Sequence, residues 1–194
     1  MSQVPNPGRK AIFLDRDGTI NKNLEGLIRF EDFEFVPGVE RALKLLQELG
    51  YRLFVVSNQS GVAKGFFSAS DVKALHQRVG DVLKTQGIKV EEFVFCPHHP
   101  QGTVPEYTLD CNCRKPKPGM IKYLESKYNL DIKNSYMVGD MNRDAEAGMR
   151  AGAEAILLKP DAEPNANWDR VDNPGNLKEF ISLLDFAESL RGIA

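Results

Sequence analysis

Short apolar runs alternate along this chain with stretches of helical period. Ala11-Ile12-Phe13-Leu14 predicts a short buried strand, and further strand-like runs follow at 51–56, 135–137 and 155–158. Between them, Val39, Leu43, Leu46 and Leu49 recur at helical spacing after Pro37-Gly38, with Gly50 as C-cap. Val72, Leu75, Val79 and Leu83 predict a helix capped by Ser68 or Ser70. Met120, Ile121 and Leu124 predict another over 118–129, and a short one is expected over 144–151. The tail from Asn176, with Leu177, Phe180, Ile181, Leu184 and Ala187, predicts a last helix facing the core, and 160–168 reads as an exposed loop. This alternation predicts an α/β protein: a Rossmann-like parallel sheet sandwiched by helices. In such sheets a site forms beyond the carboxyl ends of the strands.

The polar residues that interrupt this pattern gather at those ends. Asp15-Arg16-Asp17-Gly18-Thr19 directly follows the first strand. Side chains two apart on an extended segment point the same way, so Asp15 and Asp17 present two carboxylates on one side, and Gly18 lets the chain turn. Two acids held together require a cation between them, and Mg²⁺ suits that role because it prefers oxygen ligands. The bland alternative is an Asp-rich turn that merely ends a strand. Ser57-Asn58-Gln59-Ser60-Gly61 follows the second strand, where a hydroxyl and free backbone N–H groups can hold a phosphoryl oxygen. Arg114-Lys115-Pro116-Lys117-Pro118-Gly119 precedes a helix and sets a flat donor fork beside a point charge. Val138-Gly139-Asp140-Met141-Asn142-Arg143-Asp144 places a third acid, Asp140, at a strand end. Each motif alone reads equally as a Ser-Asn turn, a basic helix entrance or an N-cap. Their order of acid pair, hydroxyl, lysine and acid points to phosphate chemistry.

All three cysteines fall in one region with two histidines: Cys96, His98, His99, Cys111 and Cys113. Cys-x-His and Cys-x-Cys are tight clips, and two clips supply the four ligands of a closed tetrahedral Zn²⁺ site, whose work is structural. The loop between them carries Pro100, Gly102 and Pro105 and little core, so a metal would stabilise it where packing cannot. Buried or disulfide-linked thiols are the alternative; the odd count and the clustering argue against it. The clip ends at Cys113, directly before Arg114 and Lys115, so the metal would hold this basic pair over the carboxylates.

Composition adds bounds. A chain of 194 residues is expected to form one domain over 1–194, with 1–9 a loose tail and 96–113 the zinc loop. A formal net charge of −2 gives no global pull toward nucleic acid or an acidic membrane, so an anionic substrate must meet a local basic cluster. No apolar run approaches a membrane span, the first ten residues lack the apolar core of a signal peptide, and unpaired thiols suit a cytoplasmic location. A monomer is the default expectation.

The stretch from about Lys10 to Lys159 resembles the phosphatases of the haloacid dehalogenase superfamily. More narrowly, Phe13-Leu14-Asp15-Arg16-Asp17-Gly18-Thr19-Ile20-Asn21, Ser57-Asn58-Gln59-Ser60-Gly61, Cys96-Pro97-His98-His99-Pro100-Gln101-Gly102 and Cys111-Asn112-Cys113-Arg114-Lys115-Pro116 resemble the D-glycero-D-manno-heptose 1,7-bisphosphate 7-phosphatases. The resemblance implies a Mg²⁺-dependent phosphomonoesterase acting on a small sugar phosphate through an aspartyl phosphate. It implies Asp15 as nucleophile and Asp17 as general acid and base. Mg²⁺ would be held by the Asp15 carboxylate, the Asp17 backbone carbonyl and the Asp140 carboxylate, and the phosphoryl group by Ser57 and Lys115. Asn58 would help orient that group, Arg114 would contact a substrate phosphate or sugar, and Asp144 would orient Lys115 or cap a helix. Cys96, His98, Cys111 and Cys113 are the implied Zn²⁺ ligands, leaving His99 outside the set. The 21–37 stretch is too short for a large cap domain, so specificity would come from loop contacts such as Asn21, Arg16 and Lys64. Histidinol-phosphate phosphatases share the nucleophile motif but have a shorter zinc loop than the twelve residues that separate His98 from Cys111 here. A polynucleotide 3′-phosphatase would need a basic stripe, and none is visible. A non-catalytic zinc-stabilised binding module would have lost Asp15, Asp17, Lys115 or Asp140, and all four are present.

Overall fold

The computed structural model of the chain describes residues 9–24, 26–159 and 177–192. Six strands form one parallel sheet: β1 (Ala11–Leu14), β2 (Arg52–Asn58), β3 (Val90–Cys96), β4 (Tyr136–Gly139), β5 (Glu154–Leu158) and β6 (Lys178–Phe180), in the order β3-β2-β1-β4-β5-β6. The helices are α1 (Val39–Glu48), α2 (Ala69–Thr85), α3 (Gly119–Tyr128), α4 (Asn142–Ala151) and α5 (Leu183–Arg191). Successive strand residues face opposite sides of a sheet. Ile12, Leu14, Leu53 and Val55 therefore pack on one side with Leu43, Leu46 and Phe186. Ala11, Phe13, Phe54 and Val56 pack on the other with Met120, Leu124 and Ala147. Both faces are covered, which is why the strand runs read as continuously apolar. Among the described residues no helix is long and apolar enough to cross a membrane.

The order of strands places the site. From β1 the chain moves outward to β2 and β3, then returns to β4 on the other side of β1. Such a reversal opens a crevice at the carboxyl ends of the central strands. The register pairs Leu14 with Val55 and with Val138, so Asp15, Ser57 and Asp140 emerge together just beyond it. Among the described residues between β1 and α1 there is a single 3-10 turn, Phe30–Asp32, and no large cap.

Three expectations are corrected. The tail is not one helix from Asn176: Lys178–Phe180 joins the sheet as β6, and Ser182 caps a new helix by accepting from the Asp185 N–H at 3.0 Å. The buried stripe of that helix is Leu183, Phe186, Ala187 and Leu190, while Ile181 is 55% exposed. Edge strand β3 was not expected, because Glu91-Glu92 interrupts its apolar pattern. Helix α4 begins at Asn142, two residues early, which puts Asp144 inside the first turn. The loop at 160–168 and most of the N-terminal tail lie outside the described residues.

Candidate active site

Asp15, Ser57, Lys115, Asp140 and Asp144 are all buried at the strand ends. The Lys115 ammonium lies 2.7 Å from Asp15 Oδ1, 2.7 Å from the Val56 carbonyl oxygen and 2.7 Å from Asp144 Oδ1. Asn58 delivers it there: its amide donates to the Lys115 carbonyl and accepts from the Lys115 N–H, each at 3.0 Å. Asp144 is fixed by α4, where Oδ2 accepts from the Met141 N–H at 3.1 Å. Burial works against the Lys115 charge, but Asp144 and Asp15 outweigh it and hold its pKa above the ordinary lysine value.

The acids face the opposite problem. Burial pushes Asp15 up to about 6, opposed by Lys115 and reinforced by Asp144 and Asp17. Burial, then Asp15 and Asp144, push Asp140 up to about 8. Asp140 Oδ1 is buried without a hydrogen-bond partner. One oxygen each from Asp15, Asp140 and Asp144 lies within 4.8 Å of the others. An all-oxygen donor set of crowded carboxylates with an unpartnered oxygen fits a hard divalent cation. Gly18 makes room for the Asp140 carboxylate: at φ +85° a Cβ there would sit 2.1 Å from Asp140 Oδ2.

The Asp15–Asp17 pair expected to share a cation is not the carboxylate cluster that forms. Asp17 is turned to other donors: Arg16 Nε at 3.1 Å, Arg16 Nη2 at 2.8 and 3.0 Å, Asn21 Nδ2 at 3.0 Å and Gln59 Nε2 at 2.8 Å. Four further residues expected at the substrate, Asn21, Asn58, Arg16 and Arg114, are each also engaged within the protein. Asn21 is fully buried on Asp17 and the Lys22 carbonyl, so it positions the acid. Asn58 is bonded to the Lys115 backbone and also lines the cavity. Arg16 is buried against Asp17 and reaches the cavity wall, while Arg114 donates from Nη1 to the His98 carbonyl at 3.2 Å and is not among the lining residues. The cavity over Asp15 is lined by Asp17, Ser57, Lys115, Lys64 and Leu24, and by Arg143 and Phe66, which sequence reasoning passed over. Gln59 was also missed: it donates to Ser57 Oγ at 2.8 Å as well as to Asp17. Its position two residues after Ser57, on the same side of an extended segment, was the available signal.

Cys96, His98, Cys111 and Cys113 converge at the end of β3. The Cys113 sulfur lies 3.2 Å from those of Cys96 and Cys111, and Cys96 is 3.4 Å from Cys111. His98 Nδ1 is 3.3 Å from Cys113 and 3.6 Å from Cys96. Disulfides need about 2.05 Å, so these are free thiols. Tetrahedral bonds of about 2.3 Å would spread the sulfurs to roughly 3.8 Å, a small expansion of what is present. Hydrogen bonds from Cys96 lower the Cys113 pKa to about 5, readying one thiolate. His99 lies outside the cluster; its Nδ1 accepts from the Gln101 N–H at 3.1 Å.

This geometry can be set beside known proteins. The family model described as Polynucleotide kinase 3 phosphatase matches residues 10–158. The D-glycero-alpha-D-manno-heptose-1,7-bisphosphate 7-phosphatase of Photorhabdus laumondii is 43% identical, over 89% of this chain and 96% of the relative. The corresponding beta-anomer phosphatase of Rhodopseudomonas palustris is 44% identical, over 75% of this chain and 81% of the relative. A D,D-heptose 1,7-bisphosphate phosphatase from B. bronchiseptica, crystallised with magnesium and phosphate, superposes with a TM-score of 0.81 at 28% identity, covering 95% of this chain and 99% of the other. The chain belongs to the haloacid dehalogenase-like phosphatases, in the family of the heptose-1,7-bisphosphate 7-phosphatases.

Proposed function

We propose that this protein removes the 7-phosphate of D-glycero-D-manno-heptose 1,7-bisphosphate by way of a phosphoryl group carried on Asp15. The observation that carries the reading is the Asp15 carboxylate at the cavity floor, with Lys115 holding one of its oxygens at 2.7 Å and leaving the other to attack. In the first half-reaction an Asp15 oxygen bonds to phosphorus, the bond from phosphorus to the sugar oxygen breaks, and Asp17 gives that oxygen a proton. In the second, Asp17 takes a proton from water as the water oxygen bonds to phosphorus and releases Asp15. Ser57 Oγ accepts from Gln59, so its own proton is free to donate to a phosphoryl oxygen, and Lys115 neutralises charge on the same group.

Asp15, Asp140 and the Asp17 backbone carbonyl would hold Mg²⁺, with Asp144 beside them, and the ion when bound supplies charge to the phosphoryl oxygens. Cys96, His98, Cys111 and Cys113 would hold Zn²⁺ and fix the loop that carries Lys115. Lys64 and Arg143, two further cations of the lining, are the groups for the second phosphate. The protein would act as a cytoplasmic monomer without nucleic-acid or membrane partners.

The test is a panel of both heptose 1,7-bisphosphate anomers, histidinol phosphate, a 3′-phosphorylated oligonucleotide and 4-nitrophenyl phosphate, with Asp15→Asn as control. A kcat/KM on one heptose anomer at least about tenfold above every other substrate, abolished by Asp15→Asn, is the expected outcome. Preference for histidinol phosphate or the oligonucleotide would overturn the substrate reading, and an active Asp15→Asn would overturn the covalent one.

A further inference from the structure

Asp17 does not set its own aim. Arg16 grips both of its oxygens, and Arg16 is in turn gripped from behind by a residue on helix α2. The Arg16 side chain is 1% exposed, among the largest fully buried side chains of the molecule. A guanidinium carries five N–H donors and no acceptor, so burial without partners is costly. Its Nε and Nη2 are used on Asp17, and Nη1 lies 3.1 Å from Nε2 of His76 on α2. Because arginine can only donate, His76 Nε2 must accept, which requires a neutral ring with its proton on Nδ1. The ring is 4% exposed and wedged against Phe93 at 5.1 Å and Phe95 at 5.7 Å on β3. Burial and the Arg16 charge push its pKa down to about 3, so it remains an acceptor at neutral pH.

We propose that His76 is a positioning residue for the phosphatase reaction: through Arg16 it fixes the aim of the Asp17 carboxylate at the leaving-group oxygen. The rest of the α2 core stripe is Val72, Leu75, Val79 and Leu83, all aliphatic. A leucine at 76 would fill the same slot but leave Arg16 Nη1 facing an apolar wall. The guanidinium would then swing to find another acceptor and take Asp17 with it. The relay thus ties the acid to the helix packed on edge strand β3, and not to the β1 loop alone.

The proposal rests on the reading of Asp17 as acid and base, and the experiment separates the two. His76→Met removes the acceptor, and His76→Gln keeps similar volume while offering an amide oxygen. Two substrates are compared: heptose 1,7-bisphosphate, whose alkoxide leaving group needs a proton, and 4-nitrophenyl phosphate, whose nitrophenolate leaves without one. His76→Met should lower kcat on the sugar phosphate by about tenfold or more, within the range ascribed to general acids, with KM within about twofold. The first-turnover burst of nitrophenolate should keep its wild-type rate, and His76→Gln should recover most of the lost kcat. Equal slowing of both substrates, full activity in His76→Met, or failure of His76→Gln to recover would overturn the relay. Should His76→Met not fold, His76→Phe repeats the comparison with a ring that fits between Phe93 and Phe95. Asp17→Asn is the control: if it splits the two substrates and His76→Met does not, only the relay falls, whereas if it fails to split them the reading of Asp17 falls too.

Discussion

Lys115 is buried beside two acids, and only its three contacts of 2.7 Å make that tolerable. A side chain so fully engaged reads the transferring phosphoryl group, which every substrate brings, and has nothing left for the rest of the molecule. Discrimination falls to the other cations of the cavity wall, Lys64 and Arg143. Losing one charge-assisted contact costs about 1.5–3 kcal/mol, or roughly 10- to 150-fold in kcat/KM. Arg143→Ala is expected to lose that factor on a sugar bisphosphate and less than about threefold on 4-nitrophenyl phosphate. Arg114→Ala, tied to the His98 carbonyl, should slow both alike. Steady-state kinetics on the two substrates checks both statements, and equal losses for Arg143→Ala would remove it from substrate reading. At this scale the motif residues Asp15, Ser57, Lys115 and Asp140 were legible because each directly ends a strand or enters a helix. The partners that Asn21, Asn58 and Arg114 take within the protein were not legible, because they are set by folding: Asn58 meets a backbone 57 residues away.

Among the elements, the segment between β3 and α3 bears strongly on the site while burying little of itself. Cys96 is the last residue of β3 and Cys113 comes two before Lys115, so the four-donor cluster joins the sheet to the catalytic lysine. Gly119 lets the loop close on α3: a Cβ there would sit 2.2 Å from the Asn112 carbonyl oxygen. One tightly held zinc per chain is expected by elemental analysis of protein prepared without added metal. Cys111→Ser should lower both the melting temperature and kcat, because the loop that carries Lys115 loosens. Zinc-free protein of full activity and unchanged melting would count against the site. The clip was visible from cysteine spacing alone, since ligands two residues apart need no long-range knowledge. The tail was not: three residues of strand carry too little pattern, and Lys178-Glu179-Phe180 becomes β6 only because β5 offers an edge. Likewise, His76 was passed over because a polar residue on a core stripe is explained only by the arginine that it meets.

At the scale of the whole molecule, the strand order converges three acids on one point and the fold must bear their repulsion. In the metal-free chain Asp15 is raised to about 6 and Asp140 to about 8, against an ordinary value of 3.8. A carboxyl with a raised folded-state pKa keeps its proton when the unfolded chain has released it. Over that interval the native state binds more protons, so stability falls with rising pH. The contribution from these two groups is complete below about pH 4 and is lost as pH rises through about 6 and then about 8. Thermal melts in EDTA should therefore show a declining transition from weakly acid to weakly alkaline pH, and Asp140→Asn should flatten the decline by removing one of the like charges. Mg²⁺ competes with protons for the same oxygens, so the stabilisation it adds should be larger at pH 8.5 than at pH 5.5. A decline that persists unchanged in Asp140→Asn, or a Mg²⁺ shift independent of pH, would place the charge strain elsewhere. The three acids come from β1, β4 and α4, so the strain is a property of the strand order and of no single segment.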